Sequence, residues 1–116
     1  PIELMNELKR FLKRFREDYL RAAQQVRQLG KTSAACLLYE PRIPVPLLRT
    51  TGAQATRAIN ASIKAAAHSA RLDVIDLSLA CRAAPEFADP IHPSMQGSRN
   101  IAARLCEWVE LENERI

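Results

Sequence analysis

Apolar residues follow a helical period in three long stretches of this chain, and two short apolar runs separate those stretches. The first stretch starts at Met5 and places an apolar residue every three or four positions, as on one face of a helix. Its apolar positions are Leu8, Leu12, Phe15, Tyr19, Ala23, Val26 and Leu29. Gly30 follows them as a helix stop. The spacing therefore predicts a long first helix that ends at Gly30.

The two short apolar runs have the length of β-strands. Residues 32–40 contain a continuous apolar run from Ala34 to Tyr39, which is typical of a strand that a parallel sheet buries on both faces. Residues 72–77 form the second run, with Val74, Ile75 and Leu77 among its apolar members. The proline-rich residues 41–46 predict a loop after the first strand. A second helix is expected from about residue 52 to 70 and a third from about Ser94.

The order helix, strand, helix, strand, loop, helix predicts an α/β fold with a parallel sheet. Two parallel strands with three helices make an unusually small sheet with an open edge. We therefore expect residues 1–116 to be the C-terminal portion of a single larger domain. Either an N-terminal segment outside these residues or a second copy of the chain would complete the sheet.

Composition excludes several classes of protein. The 116 residues are 47% hydrophobic and 26% charged, as in globular domains, and no apolar run approaches the roughly 18 residues of a membrane span. The net charge of +4 is small beside the basic stripes of nucleic-acid-binding proteins, so no nucleic-acid partner is expected. Cys36, Cys81 and Cys106 form no Cys-x-x-Cys pair, which predicts no zinc site and weakly favours a cytoplasmic location.

The residues with the clearest chemical potential follow the second predicted strand. In open α/β sheets, functional sites lie outside the carboxyl ends of the strands. Asp89 precedes His92 by three residues, in a turn that Pro90 and Pro93 stiffen. A carboxylate so placed can accept the Nδ1 proton of the imidazole and leave Nε2 to act as a base. Asp89 and His92 are therefore the candidate catalytic residues.

Residues 88–105 resemble the last sequence block of the SGNH (GDSL-type) hydrolases. In that block, Asp-x-x-His-Pro is followed by a helix start with small residues and an Ile-Ala pair. Asp89, His92 and Pro93 match the first part of the motif, and the remaining matches are Gly97, Ile101 and Ala102. The resemblance implies a flavodoxin-like, three-layer αβα fold of which this chain is the C-terminal part. It also implies a small-molecule ester as substrate, with no cofactor.

The resemblance assigns a role to each residue of the pair. In the family, the histidine deprotonates a serine nucleophile and the aspartate holds the imidazole, so these roles pass to His92 and Asp89. The family's Gly-Asp-Ser and Gly-x-Asn-Asp segments do not occur here, since none of Gly30, Gly52 and Gly97 is followed by Asp-Ser. We therefore expect the nucleophile and the oxyanion donors to come from other polypeptide.

A non-enzymatic function is the alternative prediction. A flavodoxin-like module could bind a partner through its Arg-rich first helix, although charged residues on a helix are more often a solvated face. Cys81 and His68 are weaker candidates for chemistry. No oxyanion donor or orienting group accompanies Cys81 in the sequence. His68 lies near the end of a predicted helix, where a histidine interacts favourably with the helix dipole.

Overall fold

A computed structural model describes residues 2–115 of the chain, in which three helices and two strands alternate. The elements are α1 (Ile2–Gln28), β1 (Ala34–Leu37), α2 (Pro46–Ala70), β2 (Asp73–Asp76), a 3₁₀ turn (Ala84–Glu86) and α3 (Met95–Glu114). Within these residues, β1 and β2 pair as a two-stranded parallel sheet. The predicted mixture of three helices and two parallel strands is confirmed.

The chain divides into two compact units. The first joins residues 2–35 to Arg57–Val74, and the second joins Cys36–Thr56 to residues 75–115. The core of the first unit is built from small side chains of α1 and α2, with larger apolar side chains packed around them. The buried members are Ala23, Ala66 and Ala70, and the packed members are Tyr19, Leu20 and Leu72. Alanines at these positions let the two helices approach closely.

Helix α1 ends where its sequence predicts. Gly30 has φ +71°, the left-handed conformation that glycine adopts without a Cβ clash, and its N–H bonds the carbonyl of Arg27 at 3.1 Å. The predicted apolar face is covered only in part. Ala23 is buried, whereas Val26 and Leu29 are exposed.

Both strands are shorter than their apolar runs. In β1, Ala35 and Leu37 are buried, and Ala34 and Cys36 between them are half-buried. This alternation means that one face of β1 is covered more completely than the other, whereas the continuous apolar run predicted burial of both.

Helix α2 begins at Pro46, earlier than the predicted residue 52. Proline is favoured in the first turn, because its fixed φ suits a helix and its missing N–H would have no helical partner there. At the other end, Arg71 adopts φ 58° and the N–H of Leu72 bonds the carbonyl of Ala67 at 2.9 Å. This is a Schellman stop built without glycine.

Helix α3 begins immediately after Ser94, as predicted. The Ser94 side chain caps it by accepting the N–H of Gly97 at 3.3 Å. The helix extends to Glu114. None of the helices in residues 2–115 combines the length and apolar character that crossing a bilayer requires.

Candidate functional site

Asp89 lies in the irregular segment between the 3₁₀ turn and α3, within the second unit. Its Oδ1 accepts two backbone N–H groups, from Ile91 at 2.8 Å and from His92 at 2.7 Å. An aspartate that accepts N–H groups two and three residues ahead closes a tight turn. The carboxylate is thus fixed by the backbone of the residues that follow it.

The other carboxylate oxygen of Asp89 contacts the His92 ring. Oδ2 lies 2.8 Å from Nδ1, which is within hydrogen-bonding distance. The predicted contact between the pair is therefore present. The His92 side chain is 73% exposed and that of Asp89 is 50% exposed, so the pair lies at the surface of the second unit.

The turn holds Asp89 in its ionised form. The pKa of its carboxyl group falls from the usual 3.8 to about 2, chiefly because the backbone N–H of His92, and next that of Ile91, stabilise the carboxylate. The imidazole contributes after these two. Asp89 is therefore an acceptor at neutral pH, and a neutral His92 satisfies it by carrying its proton on Nδ1. That tautomer leaves a lone pair on Nε2, as a general base requires.

A short antiparallel pairing closes the base of the turn. The N–H of Ala88 bonds the carbonyl of His92 at 2.9 Å, and Phe87 pairs with Pro93 in an isolated β-bridge. These contacts bring the two ends of the Asp89 turn together. The backbone is consequently held just before Asp89 and just after His92, which fixes its direction at His92.

Residues that follow β1 hold the turn from the outside. The N–H of Arg42 bonds the carbonyl of Pro90 at 2.7 Å, and the Tyr39 hydroxyl donates to the carbonyl of Ile91 at 2.9 Å. The Tyr39 ring also meets the Phe87 ring edge to face, with 5.7 Å between centroids. The turn is thus attached to the segment that leaves the carboxyl end of β1.

Glu86 and Asn100 join the loop to α3. Glu86 Oε1 accepts the N–H groups of Arg82 at 2.9 Å and of Ala83 at 2.8 Å. Asn100 Nδ2 donates to Glu86 Oε2 and to the carbonyl of Ala80, the latter at 2.9 Å. The pKa of Glu86 is lowered, first by the Ala83 N–H and then by the Arg82 N–H. One amide group thus connects two points of the loop to the helix.

Gly97 allows α3 to approach that loop. A Cβ at this position would lie 2.2 Å from the carbonyl oxygen of Glu86 and 2.8 Å from Cys81 Sγ. Both distances are far below van der Waals contact, and one of the two atoms belongs to the backbone. Gly97 is therefore required for the start of α3 to pack where it does.

The structure does not favour Cys81 or His68 as a reactive group. Cys81 is 1% exposed, and burial followed by the charge of Glu86 raises the pKa of its thiol, which disfavours the nucleophilic thiolate. His68 is an exposed residue in the last turn of α2. In residues 2–115, no group of three or more histidine, cysteine or acidic side chains is arranged to hold a metal ion.

Sequence reasoning identified the pair but not the residues that support it. Tyr39 and Arg42 contact the turn across about fifty positions of sequence, and Glu86 and Asn100 meet only because α3 folds back on the loop. No local sequence pattern predicts such contacts. Gly97 did carry a signal, since the motif places a small residue there.

No protein-family model matches the chain, and no curated protein or solved structure matches it significantly. The residues of the turn and their geometry are therefore the basis for a functional proposal.

Proposed function

We propose that this chain is the C-terminal portion of an SGNH-type serine ester hydrolase and supplies the Asp-His pair of its catalytic triad. The observation that carries the proposal is the 2.8 Å contact between Asp89 Oδ2 and His92 Nδ1 in an exposed turn. The turn lies after β2 and leads into the N-terminus of α3. This is the position that the Asp-x-x-His-Pro motif occupies in the hydrolases it resembles.

The chemistry assigned to the pair is acyl transfer from a small ester. His92 Nε2 accepts the hydroxyl proton of a serine as its oxygen attacks the ester carbonyl, and it then returns the proton to the departing alcohol. Asp89 keeps the imidazole in the productive tautomer and stabilises its cationic form. The low pKa of Asp89 suits this role, because the carboxylate remains charged throughout.

The proposal requires the family's Gly-Asp-Ser and Gly-x-Asn-Asp segments, which do not occur in this sequence. A serine nucleophile and oxyanion donors have to come from other polypeptide, and further strands would extend the two-stranded sheet into a flavodoxin-like, three-layer fold. An N-terminal segment of the same protein is the simplest source, and a second copy of the chain is the other source for the sheet.

The coding sequence upstream of Pro1 gives the first test. A Gly-Asp-Ser segment at the end of a predicted strand is expected there. The extended protein should then hydrolyse p-nitrophenyl acetate, and His92→Ala should lower kcat/KM by at least about 1000-fold. His68→Ala is the matched control, because it removes an exposed histidine from α2 and should leave activity unchanged.

The 116-residue chain alone should hydrolyse p-nitrophenyl acetate faster than its own His92→Ala variant by no more than the slow, non-enzymatic rate of one exposed imidazole. Free imidazole slowly cleaves activated esters, so this comparison is needed. Turnover dependent on His92 at rates typical of enzymes, on the order of 1 to 1000 per second, would show that a nucleophile lies within these residues and would contradict the proposal. An upstream sequence without a serine block would instead favour a non-enzymatic module that binds through the Arg-rich α1.

A further inference from the structure

The second unit contains a cleft whose walls carry three arginines. The cleft has a volume of about 310 Å³, and its residues come from the loop after β1, the first turn of α2 and the loop after β2. Arg42, Arg49 and Arg82 supply the positive charges, and Glu40 is the acidic residue among the lining side chains. The volume is at the lower end of the range of small-molecule sites.

Two of the guanidinium groups are held by neutral acceptors. Arg49 Nε donates to the carbonyl of Ile43 at 2.7 Å and Nη2 to that of Pro44 at 3.3 Å, while Arg42 Nη1 donates to the carbonyl of Arg82 at 3.4 Å. Carbonyl groups orient a guanidinium without neutralising its charge. Each arginine has five N–H donors, so these bonds leave donors for a ligand on a side chain already restricted in conformation.

The first turn of α2 adds to the positive potential. Acidic side chains are favoured at the N-terminus of a helix, yet the first turn of α2 contains none and Arg49 lies there instead. The Arg49 guanidinium in the cleft lining and the positive end of the α2 dipole therefore belong to the same turn.

The lining of the cleft is bonded directly to the turn of the candidate catalytic pair. The N–H of Arg42 bonds the carbonyl of Pro90, which lies between Asp89 and His92 in sequence. The nearby carboxylate of Glu86 is already occupied by two backbone N–H groups and by Asn100. Among the lining residues themselves, three arginines stand against the single carboxylate of Glu40.

We propose that this cleft binds the anionic group, a carboxylate or a phosphate, of a small-molecule ligand. A planar guanidinium group suits both anions, because a carboxylate and a phosphate can each accept two parallel N–H bonds from it. If the ester hydrolase proposal holds, on which this further step rests, the substrate is an ester that carries a negative charge. The binding itself requires neither His92 nor a serine.

The test is a titration of the ¹⁵N-labelled, 116-residue chain with inorganic phosphate and, separately, with acetate, at constant ionic strength. Saturable shifts are expected in the Nε–Hε signals of Arg42, Arg49 and Arg82 and in the amides of Ser78 and Leu79. Arg82→Gln should weaken binding by at least about tenfold, because one bidentate charged contact contributes roughly that factor. Arg82→Lys should weaken it by less.

Arg99→Gln is the matched control, since it removes the same charge from an exposed position on α3 outside the cleft lining. Equal weakening by Arg82→Gln and Arg99→Gln, or shifts that never saturate, would overturn the proposal and indicate general charge attraction. His92→Ala should leave anion binding unchanged. Anion binding without ester hydrolysis in the extended protein would refute only the hydrolase proposal, and hydrolysis without anion binding would refute only the cleft.

Discussion

Asp89 contacts His92 through both of its carboxylate oxygens: Oδ1 accepts the backbone N–H at 2.7 Å and Oδ2 meets Nδ1 of the ring at 2.8 Å. A single side chain thus fixes the backbone and the imidazole of the same residue. Because the backbone bonds also lower the pKa of Asp89, the group that orients the ring is kept charged by the turn itself.

Replacing Asp89 with Asn should change the tautomer of His92 while preserving the turn. The amide oxygen of Asn can still accept the N–H groups of Ile91 and His92, but its NH₂ group then faces Nδ1. Two donors oppose each other unless the neutral ring moves its proton to Nε2, which removes the lone pair that a base needs. Long-range ¹H–¹⁵N correlation at alkaline pH should show protonation on Nδ1 in the wild type and on Nε2 in Asp89→Asn. The same tautomer in both forms would mean that Asp89 does not orient the ring.

Acid should weaken the structure of the loop by protonating Glu86 and Asp89. Both carboxyl groups have folded-state pKa values below their usual values of 4.5 and 3.8, so each stabilises the fold fully above its usual value. The contribution of Asp89 is lost as the pH falls from 3.8 through about 2, and that of Glu86 begins to fall below 4.5. Amide hydrogen exchange in residues 82–92 should therefore gain protection between pH 2 and 5, after correction for the intrinsic rate. Glu86→Gln should remove the upper part of this dependence, and an unchanged profile would contradict it.

Substitution of Gly97 by Ala should destabilise the protein by about 1 to 3 kcal/mol, the usual effect of overpacking. The new methyl group would collide with the Glu86 carbonyl, and the backbone would have to move. Gly52→Ala is the control within helix α2. There the nearest atoms are Ile43 Cδ1 at 3.2 Å and Pro41 Cγ at 3.3 Å, so a small adjustment and the higher helix propensity of alanine should give little change or a gain of up to about 1 kcal/mol. Urea unfolding of both variants compares the two effects, and equal changes would rule out the close approach at Gly97.

Local signals in the sequence were sufficient where one residue decides the conformation. Gly30 ends α1 and Ser94 caps α3, because a left-handed φ and a side-chain acceptor are properties of those residues alone. The start of α2 was misplaced because Pro46 was interpreted as part of a loop, although proline suits a first turn equally well. Its end at Arg71 has no glycine signal, since the backbone bond from Leu72 to Ala67 holds the left-handed conformation.

In the candidate site too, contacts that are local in sequence could be predicted and contacts between distant segments could not. Asp89 and His92 could be identified because their contact spans three residues and depends on the turn that joins them. The hydrogen bonds from Tyr39 and Arg42 to the turn connect distant parts of the chain, and the arginine cleft draws on three separate segments. Such arrangements arise from tertiary packing, which no period or short motif encodes.

The burial of Cys81 beneath Gly97 provides a built-in chemical reporter of motion at the site. Cys81 is 1% exposed, whereas Cys36 is half-buried and Cys106 is exposed on α3. Because Cys81 is buried, a thiol reagent reaches it only when the structure around it opens, at α3 or at the cleft that it helps to line, so its slow modification measures how often such openings occur. Cys106, on the same helix, reacts without any opening and supplies the reference rate. The native chain thus carries both the probe and its internal standard, and no cysteine has to be introduced.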